Sequence, residues 1–117
     1  MRLGHIELFV REPLAAKDFY VDVLGFELLD VQAEALVWLR LGGQEFLLRP
    51  GTPPAPAPSY AASSHGLVLF TDDLEGTKRR LEDRGLEFRG TDGSDDCPVF
   101  MDPDGHWFQL VDPRSHE

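Results

Sequence analysis

A chain of 117 residues with a single cysteine has no disulfide framework to rely on, and Cys97 has no partner for an intrachain bridge. No redox motif is present. Long apolar runs are missing too: nothing approaches the ~18 residues needed to span a bilayer. The opening MRLGHIELFV lacks the basic start and apolar middle of a secretory leader, so a cytoplasmic protein is the expectation. Basic residues are scarce, 11 against 21 acidic ones. The resulting net charge of −10 opposes nucleic acid and anionic membranes and favours cationic partners, although acidity also serves solubility. No phosphate loop, nucleophile elbow or zinc-finger spacing occurs.

What is present is a globular composition, 42% hydrophobic and 27% charged, and an internal repeat. At a shift of 60, HIELFVREPLAAKDFYVDVLGFEL (5–28) overlays HGLVLFTDDLEGTKRRLEDRGLEF (65–88) without a gap, pairing His5 with His65, Leu14 with Leu74 and Gly25 with Gly85. At a shift of 62, LVWLRLGGQEFLLR (36–49) overlays PVFMDPDGHWFQLV (98–111), pairing Gly43 with Gly105 and Phe46 with Phe108. Self-similarity of this kind marks a duplicated module.

Within the first module, Ile6, Leu8 and Val10 alternate with His5, Glu7 and Phe9, which predicts a strand over 3–10. A helix follows: Pro13 suits its first turn, Ala15, Ala16, Phe19, Tyr20, Val23 and Leu24 form a stripe, and Gly25 stops it. FELLDV, ALVWLRL and QEFLLR read as strands, the last two joined at Gly42-Gly43. The second module repeats this order: strand 65–70, a helix opened by Asp72-Asp73-Leu74-Glu75 and closed by Gly85, then strands in LEF, CPVFM and HWFQLV. The expected fold is α+β, one domain over 1–117 built of two tandem βαβββ modules (1–49 and 65–113). PGTPPAPAPSYAASS (50–64) joins them as a semi-extended spacer.

The paired modules, the stretch AAKDFYVDVLGFEL and the ending FMDPDGHWFQLVDP together resemble the vicinal oxygen chelate superfamily, which includes glyoxalase I, extradiol dioxygenases, fosfomycin-resistance thiol transferases and bleomycin-resistance proteins. The resemblance covers nearly the whole chain. It implies that each module curls its sheet into half of a barrel, that two modules enclose a site, and that the protein is a homodimer, often with modules exchanged. It also implies metal positions on the first and last strands of each module. Those four places hold His5, Leu47, His65 and Gln109 on the repeat alignment.

Leu47 offers no donor atom, which argues against a four-ligand glyoxalase I. His5, His65 and Gln109 remain as metal ligands, a set compatible with Fe, Mn, Zn or Ni. Because three neutral ligands leave the ion's charge uncompensated, Glu7 and Glu45 are the candidate acids, and the candidate proton carriers. Trp107 shares a strand face with Gln109, so Trp107, Phe9 and Leu47 are expected to line a substrate cavity. Arg40 and Arg49 could hold an anionic group, or be solvated strand ends; Trp38 reads as core. His106, beside the Asp102-Pro103-Asp104-Gly105 turn, and His116 read as bystanders, and Cys97 as inert beside Asp95 and Asp96.

Two functions stay open. One is a divalent-metal-dependent lyase or dioxygenase-like enzyme acting on a small oxygen-chelating substrate. The other is a metal-free binding protein of the bleomycin-resistance kind, conferring antibiotic resistance by sequestering a cationic or aromatic ligand. The paired histidines tilt the sequence toward the first.

Overall fold

The computed structural model describes residues 1–94 and 97–116, without the side chains of 115 and 116; Asp95, Asp96 and the His116 side chain thus lie outside the described residues. The chain divides into two units, Met1–Pro54 and Ala55–Glu117.

In the first unit the predicted order is realised: β1 (Ile6–Val10), α1 (Pro13–Asp18), β2 (Glu27–Gln32), β3 (Leu36–Leu41) and β4 (Gln44–Pro50). Pro13 opens α1 because the first turn has no use for its missing N–H. After α1 the chain continues into a π-helical turn, Phe19–Val23. The buried stripe is Pro13, Ala16 and Tyr20, whereas Ala15, expected on it, is exposed. Gly25 at φ 82 then turns the chain out of the helix, a conformation costly for any side chain.

The sheet order is β1-β4-β3-β2, with β1 parallel to β4 and the other pairs antiparallel. One face carries the core: Leu8, Val10, Val37, Leu39, Phe46 and Leu48 are all buried. Tyr20 and Phe26 pack there in an aromatic chain that runs on to Phe46, at ring separations of 5.3 and 5.2 Å. Truncating a ring such as Phe46 to alanine costs about 3–5 kcal/mol. Alternation sends His5, Glu7, Phe9, Trp38, Leu47 and Arg49 to the opposite, open face.

The second unit holds β5 (Leu67–Phe70), α2 (Leu74–Asp83), β6 (Val99–Met101) and β7 (Trp107–Val111). Asp73 caps α2, its carboxylate accepting from the Gly76 N–H. The sheet order β5-β7-β6 repeats that of the first unit with one strand fewer. The strand expected at LEF (86–88) is not formed. Gly90 (φ 82) and Gly93 (φ 112) break the extended run just after it. Pairing with the β6 side survives as a bridge between Thr91 and Pro98, flanked by Arg89 N–H to Val99 O and Val99 N–H to Gly90 O. Phe100 and Phe108 stack at 5.1 Å in this unit's core.

The two copies differ in register. Leu8 pairs with Leu48 in the first unit, and in the second it is Leu69 that pairs with Leu110. With the last strands related by the shift of 62, the first strands are therefore related by a shift of 61, while the helices and their closing glycines keep the shift of 60 seen in the sequence. Burial agrees: Leu67 and Leu69 turn inward, Val68 and Phe70 outward. A one-residue slip exchanges the faces of a strand. The residue that stands one place before the first paired position of β5 is Gly66, as His5 does for β1; His65 lies one residue further out.

The segment expected to be a spacer is not free along its length. From Ala55 on it belongs to the second unit, and there it packs on β7 and its flanking residues.

Candidate functional site

On the open face of the first sheet, strand pairing aligns Glu7, Leu47 and Trp38 in one row across β1, β4 and β3. Leu47 is buried in the middle of that row. Glu7 links two neighbours. Its Oε1 accepts from Arg49 Nη1 at 2.9 Å, and its Oε2 stands 2.8 Å from His5 Nε2. The Arg49 guanidinium, and after it the His5 ring, hold the Glu7 carboxyl below the usual glutamate range.

His5 in turn meets the Trp38 ring edge to face at 4.8 Å, and the Trp38 indole N–H donates to Gln32 Oε1. Arg49 also lies 5.3 Å above the half-exposed Phe9 ring. Its Nε is buried without a hydrogen-bond partner among the described residues.

Glu45 is not part of this cluster. It is exposed, paired across the strands with Arg40, whose guanidinium goes instead to Glu27. Arg40 is thereby engaged at the sheet's outer side. Trp38, expected in the core, faces outward beside His5.

On the open face of the second sheet, Gln109 and Trp107 are neighbours on β7, and both are met by residues of the 50–64 segment. Gln109 Nε2 donates to Tyr60 Oη at 2.9 Å. The Trp107 indole N–H donates to the Ala57 carbonyl at 3.0 Å, Tyr60 meets its ring edge to face at 6.5 Å, and Trp107 is only 3% exposed. Tyr60 lies against Gly66 so closely that a Cβ there would collide with its Oη and Cζ. His65 is exposed, its Nδ1 3.1 Å from Ser64 Oγ.

Among the described residues, no three His, Cys, Asp or Glu side chains gather as a metal site of those types requires. His106, read as a bystander, has its Nδ1 2.6 Å from the buried Asp102 carboxylate. Cys97 is buried. Sequence reasoning missed Tyr60, although it is the one aromatic residue in an otherwise Pro-, Ala- and Ser-rich stretch. It missed Gly66 because the gapless repeat drew attention to His65.

The fold has counterparts among solved structures. Lactoylglutathione lyase from Agrobacterium tumefaciens superposes with a TM-score of 0.73 at 20% identity, covering 97% of this chain and 95% of that one. TnmS3, an antibiotic binding protein from Streptomyces sp. CB03234, gives 0.69 at 26% identity over 96% and 98%. The fosfomycin resistance protein FosX from Listeria monocytogenes, complexed with Mn(II) and sulfate, gives 0.76 at 15% over 95% and 89%. No curated protein matches the chain in sequence. The profile of one family matches residues 2–110. The chain belongs to the glyoxalase/bleomycin resistance protein/dioxygenase superfamily.

Proposed function

We propose that the protein is a metal-free binding protein that sequesters a small cationic, aromatic molecule, acting as a homodimer in the cytoplasm. One observation carries the reading: two of the four places where the family's metal would take its ligands hold Leu47 and, by strand register, Gly66, neither of which has a side-chain donor atom. The remaining residues do not suit a divalent ion. His5 directs Nε2 at Glu7, the Glu7 charge is already met by Arg49, and the Gln109 amide is turned to Tyr60. A carboxylate held below its usual pKa is also a poor proton carrier at neutral pH.

A ligand with a flat cationic ring system suits the first sheet's face. Trp38 offers an aromatic surface, Leu47 an apolar floor, and the net charge of −10 attracts positive charge. TnmS3, the antibiotic binding protein, supports the same reading. In favour of the metal-dependent enzyme stands the contact of His5 with Glu7, but the Arg49 cation at the same carboxylate opposes a second positive charge there.

The test is a fluorescence titration with ethidium and with bleomycin in the presence of chelator, together with elemental analysis of protein grown with Fe, Mn, Zn and Ni. Quenching at micromolar ligand that is lost in Trp38→Phe, in protein without stoichiometric metal, is the expected result. Stoichiometric metal that disappears in His5→Ala, or no quenching by either cation, sinks the reading. Gel filtration checks the dimer.

A further inference from the structure

Tyr60 is held by the second sheet in the manner of a ligand. It comes from a segment with no regular structure, yet three independent contacts fix it there. Its hydroxyl oxygen accepts from Gln109, its ring meets Trp107 edge to face, and the surface beneath it is Gly66, where any side chain would collide with the phenol. The same segment is fastened nearby by the Ala57 carbonyl on the Trp107 indole. Pro56 completes the fastening by lying over Gly105, so close that a Cβ on that glycine would fall 2.6 Å from the proline Cβ.

On the same face of the sheet, β5 presents apolar side chains, Val68 46% and Phe70 72% exposed. In the first copy the strand register sets His5 at the position that Gly66 holds here. The second face thus combines a hydrogen-bond donor, an aromatic edge and a glycine-floored space, all of them matched by one hydroxyaryl group.

We propose that Tyr60 is an internal stand-in, and that the second sheet's open face is a binding site for a ligand bearing a phenolic ring, which displaces Tyr60 and takes over its bond to Gln109. This rests on the reading of the chain as a small-molecule binding protein and adds a second chemical element to the ligand: a hydroxyaryl group beside the cationic aromatic one. Tyr60 then acts as a competitor tethered to its own site, lowering apparent affinity by the fraction of time it occupies it. Ligands lacking the hydroxyl leave the Gln109 amide unpaired and are rejected.

The probe is p-cresol, which is the tyrosine side chain itself, compared by calorimetric titration with p-xylene, in which a methyl replaces the hydroxyl. Tyr60→Ala is expected to bind p-cresol at least tenfold more tightly than the unsubstituted protein, and to prefer it to p-xylene by about tenfold. That preference is expected to vanish when Gln109→Leu is added. In a Trp38→Phe background, Trp107 emission of Tyr60→Ala should move to the red and return on adding p-cresol.

Equal affinity of Tyr60→Ala and the unsubstituted protein for p-cresol, or equal binding of the two probes, overturns the proposal. Should Tyr60→Ala lose cooperative melting, Tyr60→Phe serves in its place: it keeps the ring and loses the acceptor, and a p-cresol affinity no higher than that of the unsubstituted protein overturns the proposal as well. Ethidium quenching at Trp38 separates the two claims. If it persists while p-cresol is ignored, only the phenol site falls; if it is absent, the underlying reading falls.

Discussion

Glu7 and Arg49, 42 positions apart in sequence, are joined by a 2.9 Å ion pair on the open face of the first sheet, because β1 runs parallel to β4 and sets Phe9 opposite Arg49 and Glu7 opposite Leu47. The pair makes Glu7 a fixed anion rather than an exchanger of protons. Its pKa is lower in the folded chain than in the unfolded one. It therefore adds stability above the ordinary glutamate pKa of about 4.3, which is lost as pH falls through the depressed folded value. In Arg49→Met the Glu7 side chain should titrate higher by NMR, and its stabilising effect at neutral pH should shrink. An unchanged Glu7 titration contradicts this account.

Asp102 has a side chain with 0% exposure that accepts, among the described residues, from the N–H groups of Asp104 and His106 and stands 2.6 Å from the His106 ring Nδ1. Asp102→Ala leaves those donors without an acceptor and should lower stability by about 1–3 kcal/mol. Asp102→Asn, which keeps one carbonyl oxygen, should recover part of that loss. Urea unfolding of both variants measures the difference.

Gly105 is needed twice, once for φ 90 and once for the approach of Pro56. Gly105→Ala should cost about 1–2 kcal/mol from the backbone alone, and should also lift the segment around Ala57. In a Trp38→Phe background its Trp107 emission should shift to the red, while a glycine substitution confined to another turn, Gly85→Ala, should lower the melting temperature with no such shift.

Ala33 and Glu34 both occupy the left-handed region, at φ 53 and 56, in the turn between β2 and β3. Glycine fits there without strain, so Glu34→Gly should stabilise the chain by about 1 kcal/mol. A thermal melt showing destabilisation would refute the turn geometry.

Asp73→Ala removes the acceptor for the Gly76 N–H at the start of α2 and should cost about 1 kcal/mol, with a matching loss of cooperativity in the second unit's melt.

Much of the fold was legible because its signals are local. Period-two alternation found β1, a Pro13 start and a Gly25 stop found the first helix, and Gly42-Gly43 found the β3–β4 turn. The extra strand at LEF was misjudged because three residues carry too little pattern to outweigh Gly90 and Gly93 beyond them. The site was less legible. The gapless overlay was anchored by the helix and its closing glycine, so it concealed the one-residue change in the connection to the strand, and with it the place of Gly66. The face of Trp107 was readable from alternation, but the strap that covers it was not, since a Pro-rich stretch has no period. The Glu7–Arg49 pair depended on a parallel pairing between distant strands, which no local window contains.

The exposed outer strand of the first sheet carries a further consequence. All six residues of β2 are exposed, and Leu28, Leu29 and Val31 give it the apolar content of a segment that recruits other strands. Its pairing with β3 is interrupted between Leu28 and Asp30, and Glu27 and Asp30 place negative charge along it. Irregular pairing and charge of this kind are devices by which an edge strand resists extension by a neighbouring molecule. A substitution that made the β2–β3 ladder regular is therefore expected to raise the chain's tendency to associate at high concentration even with its overall acidity unchanged.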